Sequence, residues 1–164
     1  MRLIKFRCFL FALVFSASAH AELPFTGVVS YVTDGDTLWV KALTGGVPRK
    51  LRLDGIDAPE ICQTGGAVAR AALQQMVLHQ QVVVTIRRND NYGRGLARIE
   101  FAGGDVGAQL VRAGQAWSYR WRRDPGPYAA EEAAARQARR GLFAAADAER
   151  PRDFRQRHGS CHAG

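Results

Sequence analysis

Between residues 25 and 56 the chain carries three β-rich segments separated only by short turns, and this run constrains the fold more than any other feature. Residues 25–32 (FTGVVSYV) and 37–43 (TLWVKAL) are rich in β-branched and aromatic side chains. Residues 49–56 (RKLRLDGI) alternate basic with apolar, the pattern of a half-buried strand. Asp34-Gly35-Asp36 reads as a tight turn between the first two segments, and Thr44-Gly45-Gly46 as a second turn. Pro59, in Asp57-Ala58-Pro59-Glu60, ends the third segment because proline has no N–H to offer a sheet ladder.

From Gly65 to about Gln80 the period becomes helical, with Val68, Ala72 and Met76 one turn apart and Leu73 beside them. Strand-like runs follow at 81–88 (QVVVTIRR) and 95–102 (GLARIEFA), joined by the turn-rich Asn89-Asp90-Asn91-Tyr92-Gly93. A short helix is predicted from Asp105, a good N-cap, to Ala113, with Gly114 as its stop. Residues 115–121 (QAWSYRW) read as extended. A last helix is predicted from about Pro127 to Arg140, with proline in the permitted first turn and Gly141 beyond its end. Residues 144–164 are Ala-rich and then Arg-rich, and are expected to be partly ordered at best except where Cys161 anchors them. Five strands, a helix after the third and two further helices predict an α+β, mainly β fold. Its centre is a five-stranded OB-type barrel with about three helices packed against it.

The N-terminus reads as an export signal. Arg2, Lys5 and Arg7 precede an apolar run at 8–17 (CFLFALVFSA), and Ala19-His20-Ala21 fits a small-x-small cleavage site. That run is shorter than the ~20 residues that span a bilayer. Residues 1–21 are therefore expected to be removed, leaving a mature chain from about Glu22 that is secreted or periplasmic. The whole chain has 164 residues and a net charge of +8, of which three positives leave with the signal. The apolar fraction of 47% excludes wholesale disorder, and the basic excess invites a polyanionic partner. Two cysteines remain, Cys62 and Cys161, and an oxidising compartment favours their pairing over two free thiols. Such a bond would close a loop of roughly 100 residues, a constraint worth at most ~4–5 kcal/mol in the chain-entropy picture.

Three segments concentrate charge where a β-barrel has loops or strand ends: Asp34-Gly35-Asp36-Thr37, Arg52 through Glu60, and Asp90 through Gly95. Asp36 and Asp57 can hold a hard cation, with carbonyls and waters completing an oxygen shell that suits Ca²⁺ or Mg²⁺ and not zinc. Arg52 and Arg94 offer planar forks that match phosphate oxygens. Glu60 is a candidate general base for a water nucleophile. A cation, two arginines and a base together describe phosphodiester hydrolysis. Each segment taken alone is an ordinary surface turn or ion pair.

Their combination resembles the staphylococcal nuclease family. The motifs DGDT at 34–37, R-x4-D-x-P-E across Arg52, Asp57, Pro59 and Glu60, and D-x-Y-G-R-x-L-A at 90–97 occur in family order. The segment A-W-x-Y at 116–119, and Tyr128 leading to G-L-F at 141–143, extend the resemblance over about residues 25–143. It implies an OB-fold domain over residues 22–143 and Ca²⁺-dependent cleavage of DNA and RNA that leaves 3′-phosphates. Carried over residue by residue, Asp36, Asp57 and the carbonyl of Ala58 ligate Ca²⁺, Glu60 is the general base, and Arg52 and Arg94 clamp phosphate. Thr37 orients a carboxylate or a bound water. Tyr92, Trp117 and Tyr119 fall where the family contacts nucleotides, core packing being the alternative for Trp117. The rival functional class is a non-catalytic OB-fold module that binds nucleic acid or protein. Asp36, Arg52, Asp57, Glu60 and Arg94 are all present, which favours the enzyme. No amphipathic stripe argues for an oligomer, so the expected state is a monomer.

Overall fold

The computed structural model describes residues 23–161, so the expected export signal and its cleavage point before Glu22 lie outside the described residues. Strands β1 (Phe25–Val32), β2 (Thr37–Ala42) and β3 (Arg49–Leu53) form an antiparallel meander through the two turns expected from sequence. After β4 (Ile56–Asp57) and helix α1 (Gly66–Val77), strand β5 (Gln81–Asn89) returns to pair with β1, and β6 (Gly95–Phe101) pairs with β5. The barrel closes where β6 meets β3 in parallel, with Leu51 opposite Gly95 and Arg52 opposite Leu96. Five strands, β1, β2, β3, β5 and β6, thus form the closed OB-type barrel.

The remaining elements cap and buttress it. A two-residue strand β7 (Gly104–Asp105) extends β6 and leads into α2 (Val106–Arg112), whose N-cap Asp105 accepts from the Ala108 N–H at 3.0 Å. Strand β8 (Trp117–Ser118) pairs with β4, and α3 (Ala129–Gln137) and a 3-10 turn (Gly141–Ala144) follow. Barrel-facing Val29, Val32, Leu38, Val40, Leu51, Val84 and Ile99 are fully buried, and α1 seals the barrel with Ala69, Leu73 and Val77. Burial of this kind, at about 25 cal/mol per Å² of apolar surface, is the main force holding the barrel closed.

Four local expectations are corrected. The strand expected over 49–56 breaks into β3 and β4 at Gly55, which adopts φ 82°; a side chain there would strike the Pro127 ring at 2.5 Å. The apolar face of α1 is set one residue away from the expected stripe. Val68 is 59% exposed, whereas Ala69, Leu73 and Val77 are buried with Ala72 and Met76 at the margin. Gly66 decides this rotation, because its missing side chain lets the start of α1 press on the Glu60 carbonyl. Trp117 is a packing residue: it is 1% exposed and meets Phe143 edge-on at 5.7 Å between ring centres. Finally, the tail beyond residue 143 is helical at α4 (Pro151–His158). Pro151 stands in the first turn with Asp153, and Arg155, Arg157 and His158 stand in the last, an arrangement that suits the helix dipole. Cys62 and Cys161 form a disulfide, with their Cα atoms 5.9 Å apart, that ties the segment after α4 to the loop after β4.

Candidate active site

The β1–β2 turn supplies the first carboxylates. Asp34 accepts the Asp36 N–H at 3.0 Å, which folds the turn back on itself. Gly35 between them is the only residue that fits, since a Cβ would meet Ala69 Cβ at 2.7 Å and Ala58 Cβ at 2.8 Å. This close approach buries Asp36 against α1 and the 58–60 loop, leaving it 3% exposed. The Asp36 carboxylate receives the Thr37 hydroxyl at 3.0 Å and the Ala58 N–H at 3.3 Å.

Arg52 stands opposite Thr37 in the β2–β3 register, so its side chain emerges beside Asp36. Its Nη2 reaches Asp36 Oδ2 at 2.8 Å and Asp57 Oδ1 at 3.0 Å. Asp57 is held on β4 by pairing with Trp117, which gives the buried indole its function: it fixes the strand that carries a site carboxylate. Glu60 lies in the following loop, where its N–H donates to Gln63 Oε1 at 3.2 Å; Gln63 in turn donates to the Glu149 carbonyl at 2.7 Å.

A residue missed in the sequence completes this cluster. Arg155, on α4, donates to both oxygens of Asp57 at 3.2 Å and to Glu60 Oε1 at 2.9 Å. Its arrival depends on α4 and on the Cys62–Cys161 bond, which returns the tail to the Glu60 loop. The only sequence signal was the anchoring cysteine with an arginine-rich stretch before it.

Arg94 comes from the loop between β5 and β6. Asp90 accepts its backbone N–H at 2.9 Å and its Nε at 2.8 Å, and its guanidinium lies 5.4 Å over the Tyr92 ring. Tyr92 is 85% exposed and Tyr119 is 42% exposed. Asp36, Arg52, Ala58, Glu60, Tyr92, Arg94, Tyr119 and Arg155 line one open groove of about 960 Å³. Asp57 does not itself line this groove but pairs with Arg52 and Arg155, which do, and it lines the neighbouring groove with Trp117.

The electrostatics are those of crowded anions. Burial first, and then the Asp36 charge, push the Asp34 carboxyl up to about 6. Burial and Asp36 also raise Asp57, against the pull of Arg155 and Arg52. Burial disfavours charge on Arg52, yet the Asp36 and Asp57 carboxylates outweigh it and hold the guanidinium firmly protonated. Arg155 is raised in the same way by Asp57 and Glu60, again against burial. Four carboxylates, Asp34, Asp36, Asp57 and Glu60, thus face two guanidiniums. Fully ionised, they leave a surplus that one divalent cation would neutralise. The donors are hard oxygens, which fit Ca²⁺ or Mg²⁺. Among the described residues no three His, Cys, Asp or Glu side chains form a ready-made cage. A cation held by Asp36 and Asp57 would therefore complete its shell with a backbone carbonyl such as that of Ala58 and with water.

Comparison with known proteins agrees with this geometry. Residues 50–145 match the family described as staphylococcal nuclease homologue. The chain is 36% identical over 157 residues to a micrococcal nuclease of Shigella flexneri, covering 88% of each chain. It is 38% identical over 134 residues to an uncharacterized endonuclease of Escherichia coli O157:H7, covering 80% of this chain and 85% of that one. It is also 40% identical over 118 residues to protein ParB of Escherichia coli, covering 66% of this chain and 64% of that one.

Proposed function

The chain belongs to the staphylococcal nuclease family, and on that premise we propose that it is a Ca²⁺-dependent nuclease. It hydrolyses phosphodiester bonds of DNA, RNA or both and leaves 3′-phosphate ends. The single observation that carries this reading is the meeting of Asp36, Arg52, Glu60 and Arg94 around one groove, with Asp57 held against Arg52.

Asp36, Asp57 and the Ala58 carbonyl would hold Ca²⁺, which when bound would supply positive charge to the phosphate oxygens. The chain's own residues do the rest. Arg52 and Arg94 reach the phosphate and take up the negative charge that gathers on it as water attacks. Glu60 accepts the proton of the attacking water while the phosphorus–oxygen bond to the 5′-oxygen breaks and that oxygen leaves with a proton from solvent. Arg155 and the Gln63 contact hold the Glu60 loop in place, so the carboxylate meets the water without first reorganising. Tyr92 and Tyr119 offer exposed ring faces on which the adjoining bases stack. The reading includes export to an oxidising compartment, supported by the N-terminal apolar run and the disulfide.

The test is direct. Mature protein is incubated with plasmid DNA and with RNA, in Ca²⁺ or in chelator. Both the degradation of at least one substrate and its suppression by chelator are expected. Intact substrates in every condition at micromolar protein would overturn the enzyme reading.

A further inference from the structure

Beside the catalytic groove lies a second one of about 390 Å³, lined by Tyr119, Arg120, Arg150 and Arg152 together with Asp57 and Asp153. Tyr119 lines both grooves, so the two adjoin at its ring. Nothing in the hydrolysis of a single phosphodiester requires the second groove.

Arginines crowd its wall. Glu132, 1% exposed, accepts the Ser118 N–H on Oε2 at 3.0 Å. Its other oxygen faces three guanidiniums at once: Arg120 at 3.1 Å, Arg136 at 2.9 Å and Arg150 at 3.4 Å. One carboxylate is thus shared among three arginines. Burial, and then repulsion from Arg120, pull the Arg150 pKa down against the opposing charges of Glu132 and Asp153, although a guanidinium does not give up its proton under ordinary conditions. Arg152 adds a further positive charge at the groove edge and has no acidic partner among the described residues.

Aromatic side chains are interleaved with this charge. Residues 119–123 read Tyr-Arg-Trp-Arg-Arg, and Trp121 is 62% exposed next to the 42% exposed Tyr119. An indole left in solvent on an arginine-rich loop is a stacking platform of the sort that holds unpaired bases.

We propose that the groove between the 119–123 loop and the start of α4 is a second polynucleotide subsite. It takes the phosphates of a single strand on Arg120, Arg150 and Arg152 and stacks a base on Trp121, as the strand runs on from the catalytic groove. This rests on the nuclease reading for the identity of the strand, and it predicts that affinity grows with substrate length.

The experiment uses the full mature protein in chelator, so that binding is read without cleavage. Fluorescence anisotropy is measured with labelled single-stranded DNA of two and of twelve nucleotides. Arg120→Ala with Arg152→Ala should weaken the twelve-mer at least tenfold and leave the dinucleotide within twofold. The slope of log affinity against log salt should fall by about 1.4, two single-strand phosphate contacts at ~0.7 each. Trp121→Ala alone should weaken the twelve-mer about tenfold without changing that slope. Unchanged thermal midpoints exclude misfolding, and Arg136 and Arg150 remain to hold Glu132. Equal losses on both lengths, or none on either, would overturn the subsite. So would variants that bind the twelve-mer normally but lose binding to phosphatidylglycerol vesicles, a result that would assign the groove to a lipid surface. If wild-type protein binds the twelve-mer in this length-dependent way but cleaves nothing in Ca²⁺, the subsite stands and the nuclease reading alone fails.

Discussion

Arg52 and Arg94 sit in the same groove, each paired with aspartate, and their side chains are almost equally exposed at 18% and 20%. They differ in where their partners come from. Arg52, on β3, bridges Asp36 from the β1–β2 turn and Asp57 from β4, so three separate parts of the barrel end meet on one guanidinium. Arg94 pairs with Asp90, four residues earlier in its own loop. Exposure alone would rank the two as equivalent. The connectivity says that Arg52 is a structural rivet as well as a phosphate ligand, whereas Arg94 can turn toward a substrate at the cost of one local pair.

Three measurements put that contrast at risk. Arg52→Ala should lower the cleavage rate roughly 30-fold or more, about 2 kcal/mol of transition-state stabilisation. It should also destabilise the fold by roughly 3 kcal/mol, because Asp36 is left buried without its arginine and Asp57 keeps only Arg155. Kinetics and chemical denaturation read the two effects separately, and a variant as stable as the parent would break the contrast at its strong end. Arg94→Ala should cost a comparable factor in rate while changing stability by no more than ~0.5 kcal/mol. A fall in stability matching that of Arg52→Ala would break it at the weak end.

The smallest effect concerns acid. Burial would raise Asp90, but hydrogen bonds from the Arg94 N–H, the Arg94 side chain and the Tyr92 N–H outweigh it and hold the carboxyl below its ordinary value of 3.8. The folded form therefore binds fewer protons than the unfolded one in that range. The pair's contribution is present above about pH 4 and is lost as the pH falls through the lower folded value. Asp90→Asn should lower the neutral plateau of the stability curve slightly, leave its most acid end nearly unchanged, and so flatten the acid limb. An acid limb identical to that of the parent would show that the pair does not survive in solution.

What could be read from sequence follows the same division between local and distant partners. The β1–β2 turn, the Arg52-to-Glu60 motif and the Asp90–Arg94 loop lie within single strands or turns, where residue type dictates geometry. The break at Gly55 was also a local signal, since Asp54-Gly55 is a turn pair inside an apparent strand. Arg155 was not readable, because its place depends on a disulfide spanning 99 residues and on a helix whose sequence is mostly polar. Pro151 and the basic end of α4 were the signals that would have found the helix, though not its target. Trp117 misled for another reason. A-W-x-Y resembles a nucleotide-contacting segment, but β8 turns Trp117 inward to support β4 and leaves only Tyr119 at the surface.

The parallel closure of β3 against β6 also works as a gauge. It sets the spacing between the backbone positions of the two arginines, because Arg52 lies opposite Leu96 and Arg94 immediately precedes β6. A slip of one residue would bring a leucine to the place of Gly95, where even a single added carbon would stand 3.0 Å from Leu51 and 3.2 Å from Ile86. The barrel thus has one permitted setting, and tolerance in the core becomes tolerance in that spacing. A substitution at Gly95, which touches no substrate itself but follows Arg94 in the chain, is one way to mis-set that spacing while every catalytic side chain is retained.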